Sequence, residues 1–334
     1  MSRLFEGVPR HGLVLLALAV VALLAAPYVV SNYILSVLII VLYFAYVGQA
    51  WNLMLGFAGL LSLGHALFVG IGAYASASLF VHFGIPPVIG VFVAVALAVA
   101  MGCLIGYLGF RFSIHGVYFA LLTIAFAEFT GIMVDHTRWL GSTEGLFLPV
   151  ANRSTVDLIN LRGSPVMFYY VILALTAFAL ILCRWLLNSK LGYYWQAIRE
   201  DQQAAEASGI HLFKYKMIAV AISSGLTGIA GVWYAFYYNN LFPESTFGTN
   251  RSIEMILAPI VGGVGTLFGP IVGAFILTPL GETLSALTEG FKIDGIKQFF
   301  WGLCVVIIVL FRPSGVWPWI AGLLRLDRKP KDRK

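Results

Sequence analysis

Read from one end to the other, the chain alternates long apolar stretches with short polar ones. Apolar runs cover residues 12–30, 34–55, 57–81, 88–108, 117–134, 166–187 and 217–238. An eighth region, 253–311, is just as apolar but is interrupted by several Gly and Pro residues. A helix needs about 20 apolar residues to cross a bilayer. Each of the first seven runs therefore predicts one membrane span.

The polar connections predict direction. Residues 184–216 hold Arg184, Lys190, Arg199, Lys214 and Lys216, which places that loop, 188–216 at its core, on the cytoplasmic side. Residues 135–165 carry three bases and three acids, and 239–252 carry the single base Arg251, so both read as external. The last 23 residues, Arg312 to Lys334, hold seven cations against two acids and form a basic cytoplasmic tail. Between an external segment at Arg251 and an internal tail the chain must cross an odd number of times. One crossing cannot absorb 253–311, so three are predicted, at about 254–265, 268–287 and 295–311. Their turns fall at Gly262-Gly263-Val264-Gly265 and at 281–297. The first is short for a full span, as a broken helix buried in a bundle would be. Upstream, Arg3 and Arg10 place the N-terminus inside, and Arg111 marks the inner end of the fourth run. The prediction is an all-α polytopic membrane protein with about ten transmembrane helices and both termini cytoplasmic. Residues 1–311 make one transmembrane domain and 312–334 the tail. A second reading of the first run stays open. Arg3, Arg10 and Ala25-Ala26 also fit a cleaved leader, which would leave nine spans with the same charge pattern.

Composition agrees. Of 334 residues, 60% are hydrophobic and only 11% charged, against about one-quarter charged in soluble domains. The net charge of +6 is no nucleic-acid footprint, because a third of the Lys and Arg lie in the tail. Cys103, Cys183 and Cys304 all sit inside apolar runs and read as small packing residues.

No catalytic kit is visible. The chain has no G-x-x-x-x-G-K-[ST] loop to cradle ATP phosphates and no H-E-x-x-H, C-x-x-C or acid cluster for a metal. Its six histidines are scattered, and a lone one such as His65 is more readily a satisfied packing residue than a ligand. Of the acids in apolar runs, Glu128 lies deep in its span, whereas Glu254 and Glu282 sit near span ends. Glu128 is read either as a carboxylate bonded to a neighbouring helix or facing a wet cavity, or as one with a direct part in the substrate path.

The informative polar segment is Leu191 to His211. It carries good helix formers from Tyr194 to Ala207 and stops at Gly209, a C-cap residue. Ala197, Ala204, Ala205 and Ser208 are small enough for a partner's groove to approach the backbone, and Arg199, Glu200 and Glu206 offer charges at the rim. A short amphipathic helix on the inner face is a docking knob for a soluble partner.

The series Ala197-Ile198-Arg199-Glu200-Asp201, Ala204-Ala205-Glu206 and Gly209-Ile210 resembles the cytoplasmic coupling loop of ABC-importer permeases. Further stretches agree in order: Gly56-Phe57-Ala58-Gly59 with Ser62-Leu63-Gly64-His65-Ala66, then Tyr118-Phe119-Ala120-Leu121 with Ala127-Glu128. Gly262-Gly263-Val264-Gly265-Thr266 with Gly269-Pro270 and the ending Leu310-Phe311-Arg312-Pro313-Ser314-Gly315 complete the set. Over residues 50 to 315 the chain resembles the LivM-type permease subunits of branched-chain amino acid ABC transporters. It departs from the family's usual pattern at Leu140 to Leu146 and at His115-Gly116.

The resemblance implies a ten-helix bundle like that of cobalamin-importer permeases, set in a bacterial inner membrane. It also implies four partners besides membrane lipid: a second, LivH-like permease, two LivG/LivF-like ATPase subunits and a periplasmic solute-binding protein. No cofactor is expected in this chain, because ATP-Mg belongs to the ATPase subunits. The implied coupling contacts are Ala197, Ile198, Arg199, Glu200, Ala204, Ala205, Glu206, Ser208, Gly209 and Ile210. The Gly-rich breaks and the deep acid suggest a substrate path at Gly59, Ser62, Gly64, His65, Glu128, Gly262, Gly263 and Gly265, since broken helices aim backbone dipoles at zwitterionic solutes. Related importers of urea, short amides or other amino acids remain alternatives for the solute. A secondary carrier driven by protons or sodium is the alternative of a different class.

Overall fold

The computed structural model describes residues 10–149, 156–288 and 296–324. Apolar segments without water must satisfy their own backbone, and a helix does so within one stretch of chain. The described chain is accordingly helical almost throughout. Its helices are α1 (Arg10–Val29), α2 (Asn32–Asn52), α3 (Ala66–Phe83), α4 (Pro87–Arg111), α5 (Val117–Asp135), α6 (Pro165–Leu187) and α7 (Lys190–Glu200). There follow α8 (Gln202–Ala207), α9 (Leu212–Tyr238), α10 (Pro243–Phe247), α11 (Thr249–Gly262), α12 (Gly269–Thr288), α13 (Ile296–Phe311) and α14 (Val316–Leu323). Seven of these, α1 to α6 and α9, are long and apolar enough to cross a membrane. They coincide with the seven predicted runs, so the chain is an all-α, multi-spanning membrane protein. The helices α11, α12 and α13 stand where three further crossings were predicted from charge parity.

Local chemistry sets many helix ends. Pro occupies the first turn of α4, α6 and α10, where its missing N–H costs nothing. Gly84, at φ 65°, closes α3 in the left-handed region. The predicted third run needs correction: its helix starts at Ala66, not at 57. Leu53–Phe57 is a π-helical turn that ends α2, and residues 58–65 form an irregular, largely buried link. The link is held by the Trp51 indole, which donates to the Ser62 carbonyl at 2.7 Å.

The centre of the bundle is α2, whose residues are all buried from Val41 to Asn52. It is surrounded by α6, α9, α11 and α12. Beside it, α3, α4 and α9 pack through small residues. Gly72 faces Gly228, Gly231 lies against the Val69 backbone, and Gly102 against Ser224. Such residues let membrane helices approach closely. The helix α1 is peripheral and mostly exposed, tied to α6 where the Tyr169 and Tyr170 hydroxyls donate to the Leu23 and Leu24 carbonyls at 2.7 and 3.0 Å.

The two ends of the bundle differ. Strands β1 (Leu146–Phe147) and β2 (Asn240–Leu241) pair antiparallel and join the loop after α5 to the loop after α9. Both segments predicted to be external therefore meet at one end. The opposite end carries α7 and α8, because α6 and α9 each traverse the bundle before reaching them. The predicted single helix from Tyr194 to Ala207 is corrected there to two. Asp201 is extended (φ −153°, ψ 114°) and its carboxylate accepts from the Gln203 and Ala204 amides at 2.8 and 3.1 Å. Its preference for N-capping breaks the helix and starts α8. The predicted stop holds: Gly209 is left-handed (φ 83°), and the Ile210 amide returns to the Ala205 carbonyl. Residues 312–315 and α14, the first part of the predicted tail, pack back toward the turn between α11 and α12. The bases from Arg325 to Lys334 lie outside the described residues, as do Arg3 and residues 150–155.

Candidate functional site

At the strand-paired end lies a cavity of about 820 Å³. Its walls come from α5, the end of α9, α10 and the first turns of α11. The short helix α10 is fixed by Phe247, which stacks on Tyr74 (centroids 5.6 Å apart) in a socket that exists because positions 70 and 131 are glycine. Four carboxylates line the cavity, Glu128, Asp135, Glu244 and Glu254, with one cation, Arg251. The Glu128 carboxylate accepts a 2.7 Å hydrogen bond from the Thr249 hydroxyl, linking α5 to α11.

Arg251 is the residue that sequence reasoning misjudged. Taken as the one base of an external loop, it is instead in the first turn of α11 and largely buried. Its guanidinium pairs with Glu254 at 3.0 Å and lies 4.9 to 5.5 Å from the ring centres of Tyr43, Phe44 and Tyr234. Cation–π contacts of this kind stabilise a guanidinium withdrawn from water. The available signal was the i,i+3 spacing of Arg251 and Glu254, which marks a helix turn rather than a loop.

The eight predicted path residues do not converge. Glu128 lines the cavity. Ser62, Gly64 and His65 are buried in the α2–α3 link, where the His65 ring lies 3.4 Å from the Ser62 hydroxyl and 3.2 Å from that of Ser223. His65 is thus a satisfied packing residue in this conformation. Gly64 is pressed against the Thr123 backbone of α5. The remaining four, Gly59, Gly262, Gly263 and Gly265, gather at the opposite end. Gly262 packs on Gly269, Gly263 (φ 124°) on the Ser314-Gly315 backbone, and Gly59 and Gly265 against Arg199.

The α7–α8 segment separates the predicted coupling residues into two groups. Ile198 and Ala205 are buried against the bundle together with Trp195, whose indole donates to the Tyr215 carbonyl at 2.8 Å. Glu200, Ala204, Glu206, Ser208 and Gly209 are exposed, while Ala197 and Ile210 are half-buried. The segment is therefore an amphipathic unit, seated by apolar residues and presenting small and acidic ones. Arg199 belongs to neither group: its side chain is 37% exposed, with one nitrogen on Glu200 at 3.0 Å and another turned inward to the Gly56 carbonyl.

The family profile described as branched-chain amino acid transport system, permease component, matches residues 33–310. The high-affinity branched-chain amino acid transport system permease protein LivM of Escherichia coli K12 is 28% identical, covering 95% of this chain and 77% of the relative. The probable branched-chain amino acid transport permease protein LivM of Methanocaldococcus jannaschii is 22% identical over 81% of this chain and 89% of its own. The xylose transport system permease protein XylH of Haemophilus influenzae is 29% identical over 48% of this chain and 41% of its own. No solved structure matches the chain. With a bundle of apolar helices, a polar cavity at one end and an exposed amphipathic segment at the other, and with 278 consecutive residues matching, the chain belongs to the branched-chain amino acid transport system permease family.

Proposed function

We propose that the chain is one of two permease subunits of an ATP-driven importer that brings branched-chain amino acids across the plasma (inner) membrane. One observation carries the reading: in a chain of this family, the exposed α7–α8 surface stands at the end of the bundle opposite a solute-sized cavity. Counting α11, α12 and α13 with the seven long helices makes ten crossings. Both ends of the chain then lie on the α7–α8 side, which the excess of Lys and Arg makes the cytoplasmic one. The cavity faces the other side, where a binding protein delivers solute. At about 820 Å³ it is within the ordinary range for small-molecule sites.

The partners follow from the work each surface does. A second permease closes the path along which Glu128 lies. Two ATPase subunits receive α7 and α8, bind ATP with Mg²⁺ and perform the hydrolysis, so this chain is the non-catalytic membrane subunit. Solute moves as the bundle alternates between two states, and the partners bias that equilibrium by binding one state better than the other. The permease need not hold its solute tightly, because the binding protein selects it.

The test is a mild-detergent pull-down of the tagged chain from its native membrane, followed by reconstitution with the co-purified subunits and the binding protein. A second permease and two P-loop ATPases should be recovered, and vesicles should take up leucine only with ATP. Competition by valine, isoleucine, urea, short amides and xylose then fixes the solute class. A solitary chain that accumulates leucine on a proton or sodium gradient would overturn the importer reading.

A further inference from the structure

Two breaks in the chain converge on Arg199. The π-turn that ends α2 leaves the Gly56 carbonyl without a continuing helix, and the inward nitrogen of Arg199 donates to it. The turn between α11 and α12 lies directly beside this contact. There the Asn52 side chain accepts from the Gly265 amide at 2.8 Å and donates to the Thr266 carbonyl at 2.9 Å, pairing with the turn as a strand would. Gly59 and Gly265 both have positive φ, and a methyl group at either would meet Arg199, at 3.1 and 2.6 Å respectively. The arginine is thus enclosed by backbone on two sides. α7, the end of α2 and the start of the α11–α12 turn form one hydrogen-bonded block.

A second observation extends that block across the bundle. The 14-residue α11 runs from Gly262 at the turn to Thr249 at its far end, where Asn250, Arg251 and Glu254 line the cavity. A helix of that length is a rod of about 21 Å. We propose that Arg199 is a positioning residue for transport: through the Gly56–Gly265 contact it transmits displacement of α7 to α11, and α11 moves the Thr249–Glu128 and Arg251–Glu254 contacts of the cavity. It is not a docking contact for the ATPase. That role belongs to the exposed acidic face from Glu200 to Glu206. Coupling of this kind requires a connected element that both sites bias, and α11 is that element. The inference rests on the importer reading above.

The experiment uses the complete importer with Arg199→Ala and, separately, Asn52→Ala, which loosens the turn without touching α7. Both are expected to keep the ATPase subunits bound and hydrolysing while uptake falls about tenfold, the size of an ordinary coupling between sites. A third readout is cavity accessibility. Asn250→Cys, in a chain whose Cys103, Cys183 and Cys304 are replaced by Ala, should react with an impermeant maleimide at a rate that changes with ATP. That change should vanish with Arg199→Ala. Loss of the ATPase subunits from Arg199→Ala would make the residue a docking contact and overturn the proposal. So would uptake and ATP-sensitive labelling that persist in both variants. If the Arg199→Ala chain does not fold or pair with the second permease, Asn52→Ala decides by the same readouts. A wild-type complex without ATPase subunits or ATP-driven uptake would instead refute the importer reading.

Discussion

Arg251 owes its place to chemistry that lysine cannot copy. Its planar guanidinium pairs with Glu254 and meets three aromatic rings, whereas an ammonium is a compact, strongly hydrated charge. Arg251→Lys is expected to cost about 1–2 kcal/mol, visible as a lower unfolding midpoint of the purified complex, and to weaken uptake. A second residue-scale expectation concerns the turn 157–162. The Asp157 carboxylate accepts from the Asn160 side chain at 2.6 Å and from the Ile159 and Asn160 amides. These bonds, the Asn160 side chain foremost, hold its pKa below the ordinary carboxylate value. A lowered folded pKa favours the turn at pH above the usual value of about 3.9 and withdraws that support as pH falls below it. Protection of the Ile159 and Asn160 amides against hydrogen exchange should fall on acidification, and Asp157→Asn should show weaker protection at neutral pH already. Glu128 was legible from sequence because an acid inside an apolar run is conspicuous. Arg251 was not, because setting the start of a helix a few residues late turns a buried cation into a loop charge.

At the scale of elements, glycine decides how near α9 comes to its neighbours. A methyl group at Gly231 would run into the Val69 carbonyl of α3, while one at Gly302 in α13 would meet nothing within 4 Å. Gly231→Ala should therefore destabilise by about 1–3 kcal/mol and lower the melting temperature of the complex, with Gly302→Ala as a neutral control. The seven long helices could be read from apolar runs because length alone identifies a span. The interruptions could not. The π-turn at Leu53–Phe57 leaves no mark on hydrophobic periodicity. Asp201 sits among good helix formers, and its N-cap role shows only when its carboxylate is seen on the amides of Gln203 and Ala204. Propensity summed over a window averages such a residue away.

For the whole molecule the sharpest expectation is sidedness. Glu200→Cys on α7 and Ser245→Cys on α10, in the cysteine-replaced chain, should be labelled by an impermeant maleimide from opposite faces of sealed vesicles. Labelling of both from one face would contradict the topology that the loop charges imply. Charge bias and parity carried that topology, and the β1–β2 pair supports it by joining two segments assigned to the same side. What sequence withheld was convergence. Gly59, Gly262, Gly263 and Gly265 gather around the turn beside α7, and only Glu128 of the predicted path reaches the cavity. The burial of α2 also bears on how the protein is made. Gln49 and Asn52 find their carbonyl partners, Leu267 and Thr266, 218 and 214 residues further along the chain. α2 must therefore wait, with two polar amides in an apolar setting, until the turn between α11 and α12 has been synthesised. Contacts so distant are slow to close. A nascent chain stalled before α11 would hold α2 against α6 and α9 only, with its Gln49 and Asn52 amides still short of the carbonyls that complete them.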